Sequence, residues 1–140
     1  MAITAAITNS YKVELLSGIH LAADTYKIAL FTSAATLSKS TTAYAATNEV
    51  ANGNGYTTGG ATLAGFTTAL DTDTAVLDWT TDPTWPAATI TARGALIYNS
   101  TRSNKAVAVL DFGADIASTN GTFTVTFPAA TAAAGLVRIA

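Results

Sequence analysis

Thr122-Phe123-Thr124-Val125-Thr126-Phe127 (TFTVTF) decides the fold class, because apolar and polar residues alternate across it without a break. Successive side chains of a β-strand point to opposite faces. Phe123, Val125 and Phe127 therefore share one face, and three threonines share the other. The branched Cβ of threonine suits the pleated surface of a half-buried strand. Just upstream, Asn120-Gly121 reads as a turn.

Working outward, the same period recurs. In Ala88–Tyr98 (ATITARGALIY), Ala88, Ile90, Ala92, Gly94, Leu96 and Tyr98 take one face, and Thr89, Thr91 and Arg93 take much of the other. Ser100–Asn104 (STRSN) turns the chain into a further strand, Lys105–Phe112 (KAVAVLDF). Ala61–Leu70 and Thr74–Thr80 flank Asp71-Thr72-Asp73, a hairpin turn. Asp82–Pro86 (DPTWP) reads as a stiff corner, with two prolines around Trp85. Thr25–Thr32 (TYKIALFT) sets Tyr26, Ile28 and Leu30 against Lys27, Ala29 and Phe31. Both sides are largely apolar, which predicts a central strand. Leu136–Ile139 adds one more strand, for about seven in all.

The first quarter of the chain differs. Asn9 or Ser10 can cap a short helix over Tyr11–Ser17, stopped by Gly18. Tyr11, Leu15 and Ile19 then form one stripe that could seal an end of the core. Residues 33–60 are the least regular. Ser38–Ala46 reads either as a short helix or as an extended arm, and Asn52–Gly60 (NGNGYTTGG) is a glycine-rich loop around Tyr56. That loop matches neither phosphate-binding glycine pattern, and no helix follows it. The expectation is a mainly β chain forming one domain over residues 1–140. It would be a β-sandwich or barrel-like domain with one or two short helices near the N-terminus, and residues 1–8 could form an arm.

Composition narrows the chemistry. Among 140 residues there is no cysteine, one histidine, and only 11% charged residues, against about 25% in an average soluble domain. The seven basic residues are dispersed and the net charge is −2, so no stripe could track a phosphate backbone. Met1–Thr8 is apolar but short and lacks the basic start of a signal peptide. No apolar run approaches the length of a membrane span. These features predict no enzyme, no cofactor, no metal, no nucleic acid and no membrane.

Each reactive side chain has a plain structural alternative. His20 could act as a base only beside a nucleophile and an orienting carboxylate, and no Gly-x-Ser-x-Gly elbow is present. It could equally meet the helix dipole. Asp71, Asp73, Asp78 and Asp82 make the best metal candidate, but turn formation explains Asp71 and Asp73 more simply. Asp78 and Asp111 could be a carboxylate pair only if one were raised in pKa within a cleft. Trp79 sits in an alternating strand and reads as core. Tyr44, Tyr56 and Trp85 are candidate interface anchors, since aromatics carry large contact area at low entropic cost. For Trp85, core and interface stand level. Asn99-Ser100-Thr101 and Asn120-Gly121-Thr122 match the glycosylation sequon and are also good turns.

Five stretches occur in an informative order: Asn9–Gly18 (NSYKVELLSG), Asn48–Gly60 (NEVANGNGYTTGG), Ala88–Tyr98 (ATITARGALIY), Leu110–Ala114 (LDFGA) and Asn120–Phe127 (NGTFTVTF). In that order, and over most of the chain, the sequence resembles small virion structural proteins of tailed bacteriophages. Pro128–Gly135 (PAATAAAG) adds nothing to the likeness. The resemblance implies a non-enzymatic virion component, first of all a capsid decoration or cement protein. Its partners would be the major capsid protein or other virion proteins, with self-association. The alternatives are a tail, neck or fibre-associated domain, or a carbohydrate-binding module using Trp85.

Overall fold

The computed structural model describes residues 2–140, and it is mainly β. Its strands are β1 (Ala6–Ile7), β2 (Tyr26–Phe31), β3 (Ala61–Thr62), β4 (Ala64–Asp71), β5 (Thr74–Thr81), β6 (Thr84–Asn99), β7 (Lys105–Thr124) and β8 (Val137–Ile139). One helix, α1 (Asn9–Leu16), and a single 3-10 turn at Ser100–Arg102 complete the regular structure. Two antiparallel sheets form, β1-β7-β6-β2-β3 and β4-β5-β8. They face each other as a sandwich and do not close into a barrel.

The main core lies between the sheets. Tyr26, Ile28 and Leu30 from β2, Trp79 from β5, Trp85 and Ile90 from β6, and Phe123, Val125 and Phe127 all enter it. The alternation in TFTVTF thus reports its face correctly, although β7 ends at Thr124. Beyond that point the Val125 N–H bonds the Pro83 carbonyl (3.0 Å). A second apolar cluster covers the outer face of the larger sheet. There Ala29, Phe31, Leu96, Tyr98, Ala106 and Val109 meet Ile3, Ala35 and Leu37. β2 is therefore buried on both faces, as its composition predicts, and lies between β6 and β3.

The single face expected for Ala88–Tyr98 is corrected by a register change. Ala88, Ile90 and Ala92 point into the main core, but so do Ala95 and Ile97, whereas Leu96 and Tyr98 face the second cluster. The faces exchange at Gly94. Ala92 pairs with Ile116 and Gly94 with Asp111, so Arg93 alone stands opposite residues 112–115 of β7. A bulge of this kind bends the strand and re-aims its side chains. The extra loop carries Gly113 at φ 78°, and Arg93 Nε donates to Asp115 Oδ1 across it (2.8 Å).

Other local expectations also give way to tertiary context. Thr8 caps α1, accepting the Tyr11 N–H (3.3 Å), in place of Asn9 or Ser10. Ala61–Leu70 is two strands, since the chain passes from one sheet to the other at Leu63. Ser38–Ala46 contains no helix: Ser38–Thr41 is a turn, closed by the Thr41 N–H on the Ser38 carbonyl (3.0 Å), and Ala43 then bridges Lys105. The corner at 82–86 is confined to Asp82-Pro83, and Trp85 lies inside β6. Asn120-Gly121 sits within β7, with Asn120 at φ 45°, so it bends a strand that it was expected to precede. Residues 2–8 lie along the sheet: Ile3 bridges Leu37, and Ala6 pairs with Val109.

Phe123 is 4% exposed and packs edge-on against Trp85, with ring centroids 6.1 Å apart. Phe123→Ala should cost about 3–5 kcal/mol. A urea titration followed by tryptophan fluorescence measures this, and an unchanged midpoint would contradict the packing.

Candidate interface and buried polar clusters

The three aromatics singled out as anchors are engaged inside the chain. Tyr56 is 2% exposed and Trp85 is 5% exposed, with their rings 6.0 Å apart in the main core. For Tyr56 the interior location corrects the expectation of a ring held out to a partner; for Trp85 it decides between the two level readings in favour of the core. Burial wins because the large sheet and the 52–57 loop close over them: Thr89 N–H bonds the Asn54 carbonyl (2.8 Å). Tyr44 is half-buried and stacks on Tyr98 at 4.4 Å, leaving one edge in solvent.

Glu49 explains why the irregular segment is ordered. Its Oε1 accepts the Tyr56 hydroxyl (2.6 Å) and the Gly59 N–H (2.7 Å), and its Oε2 accepts the Tyr44 hydroxyl (2.6 Å). The Tyr56 hydroxyl in turn accepts the Leu30 N–H of β2 (2.9 Å), and Tyr98 donates to the Gly59 carbonyl (2.6 Å). Charge-assisted bonds of this kind are short and strong. Burial, and then the Glu49 carboxylate, push the Tyr56 and Tyr44 phenols well up, so both stay protonated donors. Sequence reading passed over Glu49. Its signal was an acidic residue just before a glycine-rich loop in a chain otherwise poor in charge.

A second cluster holds α1 to the tip of the β6–β7 hairpin. Asn99 is fully buried, and its Oδ1 accepts the N–H groups of Thr101 and Arg102. That fixes its amide orientation, so its Nδ2 donates to Asp24 Oδ2 (2.8 Å) and to His20 Nδ1 (3.1 Å). His20 must then carry its ring proton on Nε2, which faces Glu14 Oε1 at 3.8 Å. Glu14 pairs with Lys105 (2.8 Å), and Asp24 takes a two-pronged bond from Arg102 (2.9 and 3.0 Å). His20 is thus a wedge among polar groups and no serine or threonine oxygen bonds it. Asn99 is closed off as a glycosylation acceptor, whereas Asn120 is exposed.

Asp78 and Asp82 line one open cavity of about 340 Å³ beside Trp79 and Phe127, and Asp71, Asp73 and Asp111 are not part of it. Asp71 Oδ2 accepts the Ala132 N–H (2.6 Å), Asp82 Oδ1 accepts the Phe127 N–H (2.9 Å), and Asp111 Oδ1 accepts the Gly113 N–H (2.9 Å). Among the described residues, no three acidic or histidine side chains cluster as a metal site would require. Asp78 is 3% exposed. Its Oδ1 takes the Trp79 N–H (2.8 Å), but its Oδ2 finds no partner, and burial raises its pKa. Asp78 and Asp111 stand in different sheets.

The apolar surface lies elsewhere. Val13, Leu16, Leu70 and Ile139 are each more than half exposed. Between α1 and β8 runs a cleft of about 290 Å³, walled by Ile7, Tyr11, Leu15, Leu16, Val137 and Ile139. Among the described residues no helix is long and apolar enough to cross a membrane. No protein-family model matches the chain, and no curated protein or solved structure matches it either.

Three pH effects follow. Burial lowers the His20 pKa from 6.5, against the pull of Glu14 and Asp24, so the folded state prefers neutral His20. Below pH 6.5 the unfolded chain binds the proton more readily, and stability falls. The bond from Arg102 holds the Asp24 carboxyl well below 3.8, so a further loss begins as pH drops under that value. Denaturation midpoints between about pH 8 and pH 5 should decline, and His20→Gln should flatten that limb. Asp78 has the opposite sign: its raised pKa means that stability falls as pH climbs above 3.8. Asp78→Asn should therefore raise the denaturation midpoint at neutral pH, read from the same titration.

Proposed function

We propose that this chain is a structural component of a tailed-phage virion, and within the particle a decoration protein that bridges capsid subunits. The ordered resemblance of five stretches to virion structural proteins carries this reading. Those stretches occupy the positions that shape the fold: α1 and its Gly18 stop, the Glu49-centred loop, β6, the Gly113 bulge and the last core segment. They are scaffold positions, which suits a family related through its architecture.

The surface supports the same reading. It is held in water by threonine, serine and asparagine more than by ions. Desolvating such groups costs less than stripping a charged side chain. The exposed apolar residues on α1, β4 and β8 add area for lasting contact. The mechanism is thermodynamic: a protein that binds only the assembled lattice stabilises it by its binding free energy, repeated over many copies.

Retention on purified particles tests the contact. Screening shortens the Debye length from about 10 Å at 0.1 M salt to about 3 Å at 1 M. An apolar attachment should survive that range and tighten slightly in sulfate. Wholesale release at about 1 M sodium chloride would show that basic residues carry the contact. Electron microscopy of particles with and without the protein should show its density on the shell. Density at the neck or tail would move the protein there, and absence from particles would overturn the virion reading.

A further inference from the structure

β4 is the outer strand of the smaller sheet, and among the described residues no backbone group bonds to its free side. The two-residue loop Thr72-Asp73 makes Asp71 and Thr74 a hydrogen-bonded pair, and bonded and non-bonded pairs alternate from there. Asp71, Ala69 and Thr67 therefore direct their N–H and C=O groups at β5. Phe66, Thr68 and Leu70 direct theirs outward.

The other edges are protected. β7 carries Asp111 and Asp115 and is kinked by Gly113 and Asn120. β8 is three residues long with Arg138 at its centre, and β1 and β3 have two residues each. β4 has eight residues, and from Ala61 to Leu70 there is no charged side chain and no proline. Natural sheets blunt a free edge with charge, proline, bulges or brevity. β4 is kinked only at Gly65 (φ 79°) and charged only at its last residue, Asp71, so the Phe66–Leu70 edge between them has neither charge nor proline and is built to be paired.

The geometry points to pairing of β4 with β4 of a second copy, antiparallel about a two-fold axis at Thr68. In that register Thr68 faces Thr68 of the second copy, and Phe66 faces Leu70 of the second copy. All three positions have outward backbone groups, so the ladder closes without a slip. A two-fold contact must be self-complementary. The apolar residues at 66 and 70 stand symmetrically about Thr68, so each copy covers what the other leaves bare. Leu70, 72% exposed, gains the half-buried Phe66 as its neighbour. The two Asp71 carboxylates fall at opposite ends of the shared ladder, where they do not repel. The result is one six-stranded sheet, and this inference stands independently of the virion reading.

The absence of cysteine makes the test direct. Directly opposed residues of a bonded antiparallel pair have Cα atoms about 5.5 Å apart, within disulfide range. Thr68→Cys should oxidise to a covalent dimer on a non-reducing gel, and Asp73→Cys, exposed and away from the axis, should not. Light scattering on the full chain over a dilution series should show a dimer that dissociates reversibly. Thr68→Lys sets two like charges at the axis, and Thr68→Pro removes an outward N–H while leaving the β5 ladder intact. Each should raise the dissociation constant tenfold or more with an unchanged circular dichroism spectrum. A wild-type chain that stays monomeric at every concentration would overturn the proposal. So would a dimer indifferent to Thr68→Lys, or equal cross-linking of both cysteine variants.

Discussion

The backbone of Gly94 runs so close to its neighbours that an added Cβ would lie 2.5 Å from the Leu110 carbonyl oxygen and 2.8 Å from Ile3 Cγ2. Only glycine fits there. That close approach is what lets β6 exchange faces while still paired with β7. Before Gly94 the strand fills the main core with Ala88, Ile90 and Ala92; after it, Leu96 and Tyr98 serve the second cluster while Ala95 and Ile97 continue the first. Without the exchange, Leu96 and Tyr98 would turn to the main core and Ala95 and Ile97 to the outer face. Ile3 packs over Gly94 and joins Phe31, Leu96 and Tyr98 in the second cluster, so the seating of the N-terminal residues depends on it.

The second cluster needs a lid, and the lid has almost no secondary structure of its own. Residues 33–60 are ordered by a few strong polar bonds in place of a ladder. Glu49 gathers two phenols and one amide, and through Tyr56 it reaches the backbone of β2. Asn99 does the same at the hairpin tip, using all its bonding capacity on Thr101, Arg102, Asp24 and His20. A buried polar group left unpaired costs far more than a satisfied one contributes, so such hubs define one arrangement of the chain. In a protein with so few charges, this is where many of them are used. Glu14, Glu49, Asp24, Arg102 and Lys105 all act within the fold.

That use of charge bears on function. Glu49, Asn99, His20 and Asp24 hold loops and the hairpin tip, whereas the buried Asp78 keeps one oxygen without a partner. The outward surface is left to threonine, alanine and a few large apolar residues.

The sequence by itself determined the class of fold, the position of the helix, the central place of Tyr26–Phe31, and the inward face of Phe123, Val125 and Phe127. Each follows from local periodicity, which depends only on how successive side chains leave the backbone. It also settled that Trp79 is core. What it could not carry was the exchange of faces at Gly94, the split of Ala61–Leu70 between two sheets, and the burial of Tyr56 and Trp85. These depend on which strand lies beside which, and alternation reports faces but not neighbours. The same holds for the polar hubs. Glu49 reaches Tyr44 and Tyr56 across a short loop, but Asn99 meets His20 and Asp24 from some eighty and seventy-five positions away. Nothing local marks such partners, because only the closed tertiary structure brings them within bonding distance.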